Sequence, residues 1–159
     1  MISFNFLVIP LSLMVGLVLM MLPLPEWTQI YRPDWVALIL IYWSMALPKK
    51  VGLWFAIVMG LFVDVTLGTL LGQHSLALVL ITFINFNFHQ RIRVMSLGRQ
   101  ALYVLSLLLV NQFTVIWIEG MLGSDPPGLA FIAAPLIGMA IWPWVFIVLR
   151  DIRRKAELR

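Results

Sequence analysis

Residues 34–67 read DWVALILIYWSMAL, then PKK, then VGLWFAIVMGLFVDVTL. A single helix over this stretch would be more than about 50 Å long at about 1.5 Å per residue. It would also carry Pro48, Lys49 and Lys50 at its middle. Proline removes an amide donor and clashes with the preceding turn. Two lysines in an apolar run belong at a water interface. The stretch therefore reads as two short apolar helices, 34–47 and 51–67, joined by a tight basic turn. A re-entrant hairpin is the second reading.

The rest of the chain repeats this pattern. Apolar runs over approximately 4–22, 75–88, 101–118 and 129–149 bring the total to about six. Each is near the roughly 17–25 residues that cross a bilayer, or somewhat short of it. Polar or proline-bearing segments separate them: LPLPEW at 22–27, GTLLGQH at 68–74, HQRIRVMSLGR at 89–99 and EGMLGSDPPG at 119–128. Pro33 and Asp34 suit the first turn of the second helix. Pro135 and Pro143 fall inside the sixth run, where neighbouring helices can satisfy the freed carbonyls.

Composition agrees. Of 159 residues, 62% are hydrophobic and only 11% charged, and the mean hydropathy is +1.01. Soluble domains average about 45–50% apolar and 25% charged. A chain this short cannot bury so much apolar surface in one core, which leaves lipid as the solvent. The opening MISFNFLVIP has no basic residue before its apolar run and no small-residue cleavage site after it. The first segment is expected to remain as a helix.

Charge sets the orientation. With six spans, Lys49, Lys50, Arg91, Arg93, Arg99, Arg150, Arg153, Arg154, Lys155 and Arg159 all fall on one side, and Arg32 alone on the other. The positive-inside rule makes the crowded side cytoplasmic, with both termini there. Five or seven spans would break the alternation. The expected architecture is a single all-α, multi-pass domain over 1–159. The net charge of +4 is explained by these helix ends. No basic face interleaved with exposed aromatics indicates nucleic acid.

Few residues invite chemistry. Asp64 is the one acid inside an expected span, where a charge costs about 2.5–3.5 kcal/mol. It lies close to Gly68 and the outer turn. The favoured reading is helix-end hydrogen bonding or packing, ahead of partner or ligand contact and of proton or ion transport. Gly60 shares a face with Asp64 and, with Gly52, Gly68 and Gly72, suits close helix packing. Asn85, Asn87, Asn111 and Gln112 are expected to hydrogen-bond between helices. His74 and His89 sit at helix ends with no carboxylate nearby in sequence, so no metal site is expected. There is no cysteine. Seven tryptophans fall mostly near expected helix ends, as in interfacial belts. No nucleophilic, acid–base or phosphate-binding motif occurs, so neither an enzyme nor a cofactor is expected.

One resemblance goes further. Tyr31-Arg32-Pro33-Asp34-Trp35-Val36, Leu40-Ile41-Tyr42-Trp43 and Ala46-Leu47-Pro48 resemble the hallmark segment of the MreD family of rod shape-determining proteins. Met59-Gly60 to Asp64, Gly68-Thr69 and Leu71-Gly72 resemble that family's second signature, and Trp142-Pro143-Trp144 before a basic tail matches its ending. The resemblance implies a bacterial inner-membrane scaffold of the cell-elongation machinery. It would bind MreC, in an assembly with the elongation transpeptidase, the glycosyltransferase and the actin-like MreB. It also implies a six-helix fold similar to the substrate-binding subunits of vitamin transporters. A small-molecule-binding transporter subunit is the alternative function. On the scaffold reading, Arg32, Pro33, Asp34 and Trp35 are expected to meet Gly60, Asp64, Gly68 and Gly72 near the outer face and shape the docking surface.

Overall fold

The computed structural model describes residues 7–125 and 128–156. Six helices follow one another: α1 Val8–Met21, α2 Trp35–Ala46, α3 Leu53–Leu67, α4 Gln73–Arg93, α5 Leu97–Met121 and α6 Ala133–Lys155. No strand occurs among the described residues. Single 3₁₀ segments, Glu26–Tyr31 and Gly128–Ile132, precede α2 and α6. The expected start of the first segment at residue 4, and Pro126, Pro127 and Arg159, lie outside the described residues.

The second helix is the axis of the bundle. Every residue from Val36 to Leu47 is buried. Helices α1, α4, α5 and α6 pack on it, and α3 packs on α4 and touches α1. Hence α2 has no polar face: it has no lipid- or water-facing side to distinguish. At 12 residues it is about 18 Å long, well short of the roughly 30 Å hydrocarbon thickness. Protein covers its ends, and irregular backbone at membrane depth is tolerated where protein surrounds it.

The outer helices show the reverse polarity of a soluble protein. Leu11, Val15, Trp54, Val65, Phe83, Phe113 and Trp144 point outward and exposed from α1, α3, α4, α5 and α6. Ser44, Asp64, Asn85, Gln100 and Asn111 are buried. An apolar exterior over five helices far exceeds the patches that soluble monomers expose. Helices α5 and α6 are long and apolar enough to cross a membrane; α1, α2 and α3 are shorter apolar helices.

Helix ends depart from the expected runs. α4 continues beyond 88 to Arg93, α5 spans Leu97–Met121 rather than 101–118, and α6 spans Ala133–Lys155 rather than 129–149. Hydropathy marks where apolar residues stop, whereas backbone hydrogen bonding continues through polar residues of adequate helix propensity. Pro135 sits in the first turn of α6, where its missing amide costs no intrahelical bond, and Pro143 lies inside that helix.

Six of the seven tryptophans split into two groups, and Trp35 is half-buried. Trp27, Trp54, Trp117 and Trp144 are exposed, as a belt requires. Trp43 and Trp142 are fully buried instead. Trp43 Nε1–H donates to Ser12 Oγ at 2.8 Å, tying α2 to α1. Trp142 Nε1–H donates to Gln100 Oε1 at 3.4 Å, tying α6 to α5. Each indole hydrogen bond finds a partner only across a helix pair, which no linear spacing reveals.

Candidate functional site

Two polar clusters occupy the end of the bundle opposite the arginine-rich one. The first is built on Asp64, in the last turn of α3. The helix ends at Gly68, whose φ of +69° is the left-handed conformation that closes α-helices. Its N–H, and that of Thr69, turn back to the Asp64 carbonyl. The chain then reverses through Gly72, with φ +98°, into α4. This reversal brings four donors to one carboxylate. Asp64 Oδ1 accepts from Thr69 Oγ1 at 2.8 Å, from His74 N–H at 3.0 Å and from His74 Nδ1–H at 2.7 Å. Oδ2 accepts from Gly72 N–H at 2.9 Å. Asp64 is wholly inaccessible to solvent. The carboxylate therefore caps the free amides at the start of α4, where the helix dipole also favours negative charge.

Gly60 makes this closure possible. A Cβ built there would lie 2.3 Å from Ser75 Cα and 2.5 Å from its nitrogen. No side chain fits, so α3 and α4 touch backbone to backbone, and Ser75 Oγ–H donates to the Ile57 carbonyl at 2.9 Å. The sequence reading of Gly60 as a packing residue on the Asp64 face is what the contact shows. His74 has no carboxylate close by in sequence, yet the fold gives it one. Asp64 is ten residues away along the chain, but two glycine turns place it within hydrogen-bond reach. The usable signal was an acid and a histidine flanking the Gly68–Gly72 turn. No group of acids and histidines suited to a metal occurs among the described residues.

The second cluster surrounds Arg32, Pro33 and Asp34. Arg32 Nη1–H donates to the Met20 carbonyl and Nη2–H to the Leu22 carbonyl. Helix α1 has no basic residue in its last turn, and this guanidinium supplies the positive charge its C-terminus lacks. Pro33 leads into Asp34, the N-cap of α2, whose Oδ1 accepts from Ala37 N–H at 3.0 Å. Its Oδ2 accepts from Asn111 Nδ2–H of α5 at 3.0 Å. A cavity of about 30 Å³ between α2, α5 and α6 is bounded by Arg32, Asp34, Asn111 and Gln112.

The sequence reading expects the two clusters to come together near the outer face. Among the described residues no hydrogen bond or ion pair joins them. The first is linked to α5 through Gln73 Nε2–H and Glu119 at 3.1 Å, the second through Asn111. Asn111 and Glu119 are eight residues apart, about 12 Å along a helix, so the Arg32–Asp34 cluster sits deeper. Each carboxylate is consumed by its own neighbours.

Deeper still, Asn85 of α4 donates to the Ile41 carbonyl at 2.9 Å and to Ser44 Oγ at 2.7 Å, and accepts from Tyr103 O–H at 3.2 Å. Asn85 and Asn111 thus form the interhelical bonds expected of them. Asn87 bonds only within its own helix, to the Phe83 carbonyl. These polar links matter because packing and hydrogen bonds, rather than water exclusion, hold helices together in lipid.

Comparison with known proteins places this arrangement. A family model described as rod shape-determining protein MreD matches residues 1–152. The chain belongs to the MreD family. The Rod shape-determining protein MreD of Haemophilus influenzae is 32% identical over 144 residues, covering 91% of this chain and 89% of that protein. No solved structure matches. MreD-family proteins are membrane proteins of rod shape determination, and the inverted polarity of this six-helix bundle is the form such a protein takes in lipid. Arg32 and Asp34 secure the ends of α1 and α2, while Gly60, Asp64, Gly68 and Gly72 close the α3–α4 hairpin.

Proposed function

We propose that this MreD-family protein is a non-catalytic scaffold of the bacterial inner membrane, spanning it six times with both termini cytoplasmic, and that it holds the transmembrane helix of MreC. Through MreC it would belong to the assembly with the elongation transpeptidase, the glycosyltransferase and MreB. One observation carries the reading. Among the described residues the outer helices run α1, α3, α4, α5, α6 around α2, each packed on the next, and α6 and α1 make no such packed contact. There an apolar groove of about 180 Å³ is floored by Trp35 and Ile39 of the axial helix and walled by Val15, Leu19, Trp144 and Val148. A single apolar helix with small residues on one face would close the seam by the packing that joins helices in lipid.

The family signature fits as positioning machinery. Arg32, Pro33 and Asp34 fix where α2 begins and so where Trp35 enters the groove. Asp64, with the glycines at 60, 68 and 72, holds the far side of the ring. A ligand or transport role for Asp64 has less support, because all four donors around its carboxylate belong to the chain itself.

The test is photocrosslinking in cells from Val15, Trp144 and Val148, with Phe113 on the α4–α5 face as the comparison. Crosslinks to MreC from the first three positions and none from Phe113 are expected. Crosslinks from Phe113 alone would refute the groove.

A further inference from the structure

The arginine-rich end of the bundle holds a feature the scaffold reading does not use. The C-terminal ends of α2, α4 and α6 converge around a cavity of about 230 Å³. It is lined by Tyr42, Met45 and Ala46 of α2, Arg93 of α4, and Phe146 and Arg153 of α6. Basic residues in the last turn of a helix answer the negative end of its dipole. That accounts for the arginines as a group but not for Tyr42. The Tyr42 side chain is 1% exposed, and its hydroxyl is buried with no hydrogen-bond partner. A buried hydroxyl without a partner costs about 1–3 kcal/mol. The charges acting on it are Arg153, Arg150 and Arg93, opposed by Asp151. Asp151 faces Arg150 at 3.6 Å. Among the described residues, Arg93 and Arg153 have neither a carboxylate partner nor a hydrogen bond.

We propose that this cavity is a phosphate-binding site, in which Arg93, Arg153 and the Tyr42 hydroxyl hold the phosphate of an anionic lipid headgroup. The chemistry is complementary: two guanidiniums without a partner among the described residues and one O–H donor come from three helices to a space whose described lining holds no carboxylate. Arginine is suited to phosphate by its planar donor fork. The cavity is smaller than the roughly 300–1,000 Å³ that encloses a whole small molecule. It fits a headgroup whose remainder lies outside, between helices at the membrane surface. Basic pockets of this kind between membrane helices suit anionic headgroups. Lipid bound here would bridge α2, α4 and α6 at the end where only short turns join the helices.

The test uses the full-length protein purified in detergent. Native mass spectrometry follows titration with phosphatidylglycerol, cardiolipin or phosphatidylcholine, and separately with inorganic pyrophosphate. Tyr42→Phe, which changes no charge, is expected to weaken binding about fivefold. The double variant Arg93→Gln/Arg153→Gln is expected to weaken it about a hundredfold. The pair Arg91→Gln/Arg154→Gln removes the same charge from exposed positions outside the cavity and should lose much less. Retained anionic lipid identifies the headgroup as the source, and binding of pyrophosphate alone identifies a soluble phosphate. Equal affinity in wild type, Tyr42→Phe and the double variant overturns the site. So does equal loss in the two arginine pairs, or binding in neither arm. None of these readouts involves MreC, so this site and the seam stand or fall separately.

Discussion

Replacing Asp64 with alanine removes one acceptor from four donors at once. Two of the four, the His74 amide and ring N–H, belong to a buried residue, whereas Thr69 and Gly72 are half-buried. Each buried donor left without a partner costs about 1–3 kcal/mol. Together the two buried donors give an expected loss of about 3–4 kcal/mol for Asp64→Ala. Asp64→Asn keeps the size and one acceptor oxygen but turns an NH₂ group toward a donor, and about 2 kcal/mol is expected. His74→Ala removes the 2.7 Å ring contact alone, for about 1–2 kcal/mol. Equilibrium unfolding by SDS in mixed micelles, followed by tryptophan fluorescence, measures all three. Amide exchange at Gly72 and His74 should accelerate in parallel. An Asp64→Ala protein as stable as wild type, yet defective in partner capture, would refute the capping role and favour direct contact.

Three further outcomes follow from the same geometry. Gly60→Ala forces Cβ against the Ser75 backbone and should cost about 1–3 kcal/mol by the same unfolding assay, whereas Gly52→Ala, whose nearest contact is 4.0 Å, should be neutral. Arg32→Gln releases the Met20 and Leu22 carbonyls and should speed amide exchange in the last turn of α1, with a stability loss of about 1 kcal/mol. Asn85→Leu should cost about 1–2 kcal/mol, and adding Tyr103→Phe should cost almost nothing more, because that hydroxyl has already lost its acceptor; full additivity of the two would deny the bond.

The candidate site was legible in part, and the residues show where legibility stopped. Asp64 and Gly60 stood out because a charge and a small residue are conspicuous in an apolar helix. Asp34 stood out because a proline and an acid mark a helix start. His74 did not, because its partnership depends on two left-handed turns that no spacing rule encodes. Tyr42 stood in the segment that resembles the family but drew no role of its own, since an unpartnered hydroxyl exists only once three helix ends have converged around it.

Composition and the alternation of apolar runs with charged turns were enough to determine six helices, their order and the collection of cationic residues at one end. Those properties follow from the length of each run and from the cost of placing charge in hydrocarbon, both local to the chain. Which helix became the axis was not decided there. The helices' apolar stretches are close to equivalent in lipid, which solvates each of them about equally well. Contacts such as the fit of Gly60 against Ser75, the Trp43–Ser12 and Asn85–Ser44 bonds, and the capping of α1 by Arg32 distinguish one arrangement from another. These contacts join residues far apart in sequence, and their energies exist only in the assembled bundle.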